Sequence, residues 1–426
     1  MKNPTLLFLI LVVMLATCQQ KKKSTTQALP GESAETVLLP KEIYLDKLRG
    51  MLYGSALGDA MGAPTEMWFR SARELDFGLV GGLDSMVRAP SAEGTWRYNL
   101  PAGGTTDDTR WKVLAAEFAL AHPTLDPTAF AHFLTTRYRA QLDSLKHTDG
   151  FDPAPYEASL MRVAWLQEWA LVAKPYAGRN LDGYADALAK FYGGEPTCAG
   201  MLYSPVVGAM VPANPTLAYE KAYRLAIFDQ GYARDLTALV AAMVSAGFDP
   251  QATPETVLGV VRSVDPKGYF KSRLVGRSAY RFFSTARRIV DETRRLTRAD
   301  LPKNFRMPRS QKPLDSLETF RMNRAFERLD EANEDLPFHP GEIFLTVLTG
   351  LMYSDFDFDR TMAFVVNYGR DNDTAAAIAG AILGAYHGAA HLPKAPVERM
   401  LRVNRETLGI DLEGMAGKMS AESTVR

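Results

Sequence analysis

The 426-residue chain is short of several things, and each shortage excludes a class of protein. Two cysteines are too few for a disulfide scaffold or a cysteine-rich zinc site. Charge of either sign is not in excess: 49 Lys+Arg stand against 49 Asp+Glu. A general nucleic-acid or polyanion binder needs surplus cations to displace counterions, so that class is set aside. No alternating run of β-branched residues is long enough for a central strand. What remains, with 46% hydrophobic and 23% charged residues, is the composition of a globular enzyme or binding domain with a large core.

The N-terminus carries an address. The apolar run Leu6 to Ala16 is too short to span a bilayer, which takes roughly 20 residues, and fits the core of a secretory signal. Leu15-Ala16-Thr17-Cys18 resembles a bacterial lipobox, with Thr17 standing where Gly, Ala or Ser is usual. The expectation is a signal peptide over 1–17, lipidation of Cys18 and a flexible tether over 18–41. A plain signal peptide or a short uncleaved anchor is the alternative. On the lipoprotein reading the protein is held at a bacterial membrane only through its lipid and faces the periplasm or the cell surface. Cys198 then has no disulfide partner.

From 42 to 412 the pattern is helical, with Pro or Gly at regular breaks, and predicts one large all-α domain followed by a flexible tail over 413–426. Asp235 to Ala246 ends at Gly247, a favourable residue after a helix. Thr374 to Tyr386 reads as a small-residue helix buried on most faces. Helices are also expected near 44–61, 110–121, 127–143, 156–172, 181–191, 215–228, 254–263, 277–297, 316–332, 341–352 and 396–407. A charged helical insertion spans 271–335. Its first part, Lys271 to Ser310, holds 12 Lys/Arg against Asp291, Glu292 and Asp300, and Leu314 to Asp335 is acidic on balance. The two parts read as solvated helices that attract each other, or as a lid presenting arginines to a phosphorylated substrate.

Three clusters carry chemistry. Gly58-Asp59-Ala60-Met61-Gly62-Ala63-Pro64-Thr65-Glu66 is a small-residue helix stopped by a Gly-Ala-Pro break, which leaves Glu66 just past a helix end. Gly103-Gly104-Thr105-Thr106-Asp107-Asp108-Thr109 leads into an apolar helix. Asn367-Tyr368-Gly369-Arg370-Asp371-Asn372-Asp373-Thr374 leads into the buried small-residue helix. The second and third each place two carboxylates and a threonine hydroxyl at a helix entry. Asp or Thr there serves as an N-cap. Each cap needs one such residue, however, and four converging carboxylates would repel one another without cations. Oxygen-only donors suit Mg2+ or Mn2+ rather than zinc.

In this order the three clusters resemble the signatures of the ADP-ribosylglycohydrolase family over about residues 48–390. The resemblance implies an all-α fold with a dimetal centre of two Mg2+ ions, Mn2+ being possible. It implies metal ligands at Thr106, Asp107, Asp108, Asp371, Asp373 and Thr374. Catalytic roles fall to Glu66, Asp107 and Asp108, and substrate contacts to Tyr203, Ser204, Gly369, Arg370 and Trp96. The implied chemistry is hydrolysis at the anomeric carbon of an ADP-ribosyl or related ribosyl group, with metals orienting ribose hydroxyls and a carboxylate handling the proton. The substrate is a small molecule or an ADP-ribosylated one, and the protein is expected to be a monomer.

Two family features are missing. Where a Gly-Asn-Gly-Ala-Met-Arg-like loop is usual, this chain has Ala199-Gly200-Met201-Leu202-Tyr203-Ser204-Pro205-Val206-Val207-Gly208, without the arginine. Phe228-Asp229-Gln230-Gly231-Tyr232 stands where a histidine is common. Diphosphate recognition is thereby in doubt, and Arg370 meets either a phosphate or a neighbouring carboxylate. Trp96 and Tyr98 are candidates for stacking on a base. Trp165 and Trp169 read as core, and His387 and His391 as favourable charges at a helix end. Two further readings compete with the hydrolase: a non-catalytic, metal-dependent nucleotide or sugar binder, and a surface protein that uses 271–310 to hold a partner or anionic lipid.

Overall fold

The computed structural model describes residues 39–84, 100–145, 153–310 and 313–422. The expectations for the signal peptide, Cys18, most of the tether, Trp96 and Tyr98 lie outside the described residues. In chain order the helices are α1 (Lys41–Gly62), α2 (Arg70–Asp76), α3 (Asp107–Ala121), α4 (Pro127–Leu145), α5 (Pro153–Ala177) and α6 (Leu181–Lys190). Then come α7 (Ala199–Met210), α8 (Pro215–Leu225), α9 (Ala233–Gly247), α10 (Pro254–Ser263), α11 (Ser278–Arg294) and α12 (Ser316–Asp330). The last are α13 (Pro340–Tyr353), α14 (Phe358–Tyr368), α15 (Asn372–His387), α16 (Lys394–Val403) and α17 (Leu412–Glu422). Among the described residues there is no strand, only an isolated bridge between Leu79 and Ser310, so the all-α expectation holds. No described helix is long and apolar enough to cross a membrane.

Helices α1 and α15 form the centre. Gly50, Gly54, Gly58 and Gly62 fall every fourth residue, which places them on one helical face. They meet Gly384, Gly380, Ala376 and Asp373 in turn, so the two helices run antiparallel. A Cβ at any of the four would lie closer than 3.0 Å to backbone of α15. The absent side chains let the two backbones touch, and α15 is buried over Asn372 to Ala385. Around this pair α9 contributes an almost wholly buried helix that packs on α7, α8 and α15.

Polar anchors fix the periphery. Asn180, Asn214, Asp315 and Asp357 cap α6, α8, α12 and α14 through their side chains. Lys47 on α1 is buried and donates to Gly247 O (2.8 Å), Ala385 O (3.0 Å) and Tyr386 O (2.8 Å), closing the carbonyl ends of α9 and α15 together. His387 Nε2 donates to Phe356 O (2.7 Å) at the end of α15.

The charged segment 271–335 is fastened to the body. Buried Arg277 makes a two-pronged contact with Asp235 of α9 (2.9 and 2.6 Å) and donates to Val261 O and Val264 O. Arg328 of α12 pairs with Glu292 of α11 (3.1 Å), Arg298 with Asp315 (2.6 Å), and Arg321 donates to Leu296 O (2.6 Å). This is the arrangement of mutually attracting helices.

The chain past 412 differs from the expected flexible tail. Leu412–Glu422 is helix α17, packed on α1 and α3. Met415, Ala416 and Met419 recur at helical spacing on its buried face, and burial of that face holds it in place.

The glycine contact gives a stability prediction. Gly54→Ala forces a methyl into the Gly380 carbonyl, and α1 and α15 must separate. The expected loss is about 3 kcal/mol or more by chemical denaturation. Gly259→Ala, at a helical position with nothing near the new methyl, should be neutral or mildly stabilising in the same measurement.

Candidate active site

The antiparallel pairing brings the end of α1 beside the beginning of α15. Past Gly62 the chain makes a single buried turn, Ala63–Thr65, with Pro64 at its start, and delivers Glu66 to the first turn of α15. One carboxylate oxygen each from Glu66, Asp371 and Asp373 lie within 4.8 Å of one another. Asp371 and Asp373 are buried, while Glu66 retains access to solvent. Backbone hydrogen bonds lock the two segments: Met67 N–H donates to Arg370 O (2.7 Å) and Arg370 N–H to Trp68 O (3.2 Å). Asn372 adds a side-chain bond to Thr65 Oγ1 (3.0 Å). Gly369, at φ 86° and ψ −151°, occupies a conformation that is essentially glycine's alone, and this turn aims Asp371 inward.

The Thr106–Thr109 segment is held from α1. Asp59 is fully buried and accepts the Thr106 amide (3.0 and 3.1 Å), the Thr109 amide (3.0 Å) and the Thr109 hydroxyl (2.6 Å). It therefore serves the amide end of α3 that helix geometry leaves open. Thr106 is the N-cap of α3, its hydroxyl accepting from the Asp108 amide (3.2 Å). With Asp59 and Thr106 covering the amides, the carboxylates of Asp107 and Asp108 are not needed as caps. Likewise Asp371 stands at the N-cap position of α15 without accepting a capping amide. Thr374 Oγ1 donates to Asp108 Oδ2 (2.9 Å), joining the entries of α3 and α15. Buried Lys112 donates to Asp108 O (3.0 Å) and lies 3.5 Å from Asp108 Oδ1.

Electrostatics mark this cluster as unusual. Burial, with Asp108 and Asp373 acting in the same direction, raises Asp59 to about 8. Burial raises Asp108 to about 6 against the opposing pull of Lys112. Asp371 is driven well above the ordinary carboxylate range, first by burial and then by Asp373 and Asp108.

A cleft of about 480 Å³ opens over these groups. It is lined by Glu66, Met67, Asp107, Asp108, Asp371 and Thr374, by an apolar wall of Trp169, Tyr192, Leu202 and Phe338, and by Thr197, Cys198 and Ala199 at the start of α7. Trp169 is packed in the core against Trp111 (ring centroids 4.0 Å apart) and reaches the cleft as well. Cys198 is buried, and burial raises its thiol, which stays protonated.

A sequence model of the ADP-ribosylglycohydrolase family matches residues 40–425. The chain belongs to the ADP-ribosylglycohydrolase family. It is similar to a solved structure described as an ADP-ribosylglycohydrolase-related protein complex, at 19% identity and a TM-score of 0.51, over 90% of this chain and 100% of that one. At that identity the likeness is one of fold. No curated protein matches the chain. Family membership supplies the coarse function, a glycohydrolase of the ADP-ribosyl type.

Of the residues expected from the family motifs, Glu66, Asp107, Asp108, Asp371 and Thr374 all line the cleft, and Asp373 lies beside them. Thr106 is buried behind them as a cap. Of the expected substrate contacts, Tyr203, Ser204, Gly369 and Arg370 are not among the described residues that line the cleft, and Trp96 lies outside the described residues. Tyr203 is buried among Trp111 and Phe130 and its hydroxyl donates to Leu225 O (2.9 Å). Ser204 is buried in α7 and is not among the cleft-lining residues. Both positions follow from 199–210 being a helix, which turns Leu202 to the cleft and its neighbours to the core. Arg370 points away from the cleft: its guanidinium makes a two-pronged pair with Glu342 (2.7 and 2.7 Å) and donates to Glu334 O (2.6 Å). Between the two alternatives for Arg370, the neighbouring carboxylate is its partner. Asp59, Lys112 and the wall formed by Tyr192 and Phe338 were not anticipated. The one available signal was an aspartate inside a small-residue helix at position 59.

These raised values fix how metal-free stability depends on pH. The unfolded carboxylates lose their protons near pH 4, while the folded ones hold them to higher pH. Stability is thus fully present below about pH 4 as far as these groups are concerned, and is lost as pH rises through about 6 and about 8. Thermal melting in EDTA should show a lower melting temperature at pH 8 than at pH 5.5. Excess Mg2+ should raise it more at pH 8.

Proposed function

We propose that the protein is a divalent-cation-dependent hydrolase that cleaves the glycosidic bond of an ADP-ribosyl or related ribosyl substrate. The observation that carries this is the set of carboxylates gathered at two helix entries, more than capping needs, with Asp108, Asp371 and Asp373 buried and only Asp373 accepting a helix amide, from Thr374 (3.0 Å). Their donor chemistry fits a hard cation: oxygen ligands only, buried together, and repelling one another in its absence. Asp107, Asp108, Asp371, Asp373 and Thr374 would hold two Mg2+ or Mn2+ ions, and Thr106 would shape the loop beneath them. Bound there, such ions supply fixed positive charge that orients sugar hydroxyls and acidifies water.

The protein's own residues do the rest. Asp59 and Thr106 hold the α3 entry rigid, so the carboxylates keep their places through the reaction. Water adds to the anomeric carbon, the bond to the leaving group breaks, and the leaving group takes up a proton. Glu66 is the carboxylate of its trio with access to solvent, and it sits at the mouth of the cluster. We assign it the proton transfer. The lipobox-like N-terminus supports an activity in the cell envelope.

Three measurements test this. EDTA should abolish turnover of ribosyl glycosides, and Mg2+ or Mn2+ should restore it. Asp107→Ala combined with Asp371→Ala should lose both metal-induced thermal stabilisation and activity. Glu66→Gln should keep a substantial part of the stabilisation while kcat falls about 10²- to 10⁴-fold. Metal-independent turnover, or full activity of the Asp107/Asp371 variant, removes the proposal.

A further inference from the structure

The basic segment that begins at Lys271 opens on a loop unlike the helices after it. Between α10 and α11 the chain reads Lys267-Gly268-Tyr269-Phe270-Lys271-Ser272-Arg273-Leu274-Val275-Gly276-Arg277. Leu274 is 97% exposed, Val275 60% and Phe270 42%. Single exposed apolar side chains are ordinary on a protein surface. Here three fall within a short stretch, and the exposed Lys267, Lys271 and Arg273 stand between and beside them.

Both ends of the loop are fixed. The Asp265 carboxylate accepts the amides of Tyr269 and Phe270 (both 2.9 Å). Lys271 N–H donates to Gly268 O (2.9 Å), and Gly276 N–H to Ser272 O (3.2 Å), which closes the turn that carries Leu274 and Val275. Arg277 is buried on Asp235, and its guanidinium lies 5.6 Å from the centre of the Phe270 ring. Phe270 also packs edge-on against Tyr280, with ring centroids 5.6 Å apart. The root of the loop is thus packed, while its tip presents a leucine and a valine outside the hydrophobic core.

Charge around the tip is one-sided. Over 262–276 the exposed Arg262, Lys267, Lys271 and Arg273 stand against Asp265 alone. None of the four forms an ion pair among the described residues, whereas Arg277 and Arg294 are paired with Asp235 and Asp355. Area and charge together limit what fits such a tip. A stable protein interface takes roughly 800 Å² from each partner around a core depleted in charge, and three side chains interleaved with cations fall short of that. A nucleic acid would engage the cations and leave Leu274 and Val275 in water. A membrane interface takes both. Apolar side chains enter the acyl boundary, and Lys and Arg bury their stems while their charges stay among anionic headgroups.

We propose that the 267–275 loop is a membrane-contact site that inserts Leu274 and Val275 into an anionic bilayer, with Lys267, Lys271 and Arg273 on its headgroups. The contact is independent of the reaction assigned to the cleft. A lipid at Cys18 is not required for it, and the test removes one.

The test uses the full chain with Cys18→Ser and one introduced thiol, Leu274→Cys, carrying a polarity-sensitive nitrobenzoxadiazole dye; Cys198 is buried. Leu75→Cys is the control, because Leu75 is 75% exposed but stands between Glu74 and Asp76. The probes are vesicles of phosphatidylcholine alone and of phosphatidylcholine with about one-third phosphatidylglycerol. The expected result is a blue shift and about a twofold brightening at position 274 with the anionic vesicles only, and neither at position 75. Lys271→Gln with Arg273→Gln should weaken partitioning to the anionic vesicles about tenfold, an effect that fades as salt rises. These positions are exposed, so the variants should melt as the parent does. No change at 274, an equal change at 75, or an equal change with neutral vesicles overturns the inference. Unchanged partitioning of the Lys271/Arg273 variant overturns it as well. So does an equal response at 274 to a short DNA duplex, which marks a general polyanion site.

Discussion

Everything in this molecule depends on how closely α1 and α15 approach. Side chains normally hold packed helices 8–10 Å apart. Here the glycine face of α1 removes that spacer, and the backbones meet from Gly50–Gly384 to Gly62–Asp373. The consequence appears at one end. Glu66 is carried by the turn that follows α1, and Asp371 and Asp373 begin α15, so their convergence is a product of helix packing rather than of loop conformation. Asp59, one residue from Gly58, uses the same helix to grip the entry of α3. One helix thus fixes both halves of the acidic cluster.

The close packing also creates an electrostatic problem. Two unit charges about 4 Å apart repel by about 4 kcal/mol at the effective dielectric suited to protein sites. Several carboxylates brought together out of water cannot all be ionised at that cost, and the upward shifts of Asp59, Asp108 and Asp371 express it. Hydrogen bonds offset part of the cost: Asp59 accepts from Thr106 and Thr109, and Asp108 from Thr374. Lys112 supplies one positive charge, on one edge of the cluster. The metal ions proposed above would take up the remaining charge. Ordinary capping does not explain the cluster, because Asp59 and Thr106 already serve the amides of α3, and Asp371 at the N-cap position of α15 accepts no capping amide.

The acidic half of this arrangement was legible in the sequence because its determinants are local. Each motif abuts a helix entry, and the order of Thr106–Thr109 and Asp371–Thr374 can be read without knowing what packs on what. The small-residue character of 374–386 was equally plain, and so was its burial. What stayed hidden was pairwise. The glycines of α1 and α15 take their meaning from each other, and Asp59 from the amides it reaches 47 and 50 residues away. Helix α7 is absent from the expected helices because 199–208, with Gly200, Pro205 and Gly208, stands where the family's loop is usual. Two of these are packing residues, Gly200 against Asp229 and Thr237, and Gly208 against Ala241 and Val244. That misreading sent Tyr203 and Ser204 to the substrate, whereas helical geometry turns them into the core.

The acidic and aromatic groups of the cleft lining are joined through a residue that is not itself among the lining residues. Arg370 belongs to the acidic loop by its backbone, bonded to Met67 and Trp68, and to the 334–342 segment by its guanidinium. That segment carries Phe338, whose carbonyl in turn accepts the Cys198 amide at the start of α7. A chain of hydrogen bonds therefore runs from the Glu66 turn through Arg370 and Glu342 to the aromatic wall and the start of α7. A two-pronged Arg–carboxylate pair has defined geometry, and loss of the half-buried Arg370 would strand the buried Glu342 charge. The distance between the carboxylates and the wall is thus set by covalent and hydrogen-bonded links rather than by side-chain packing alone.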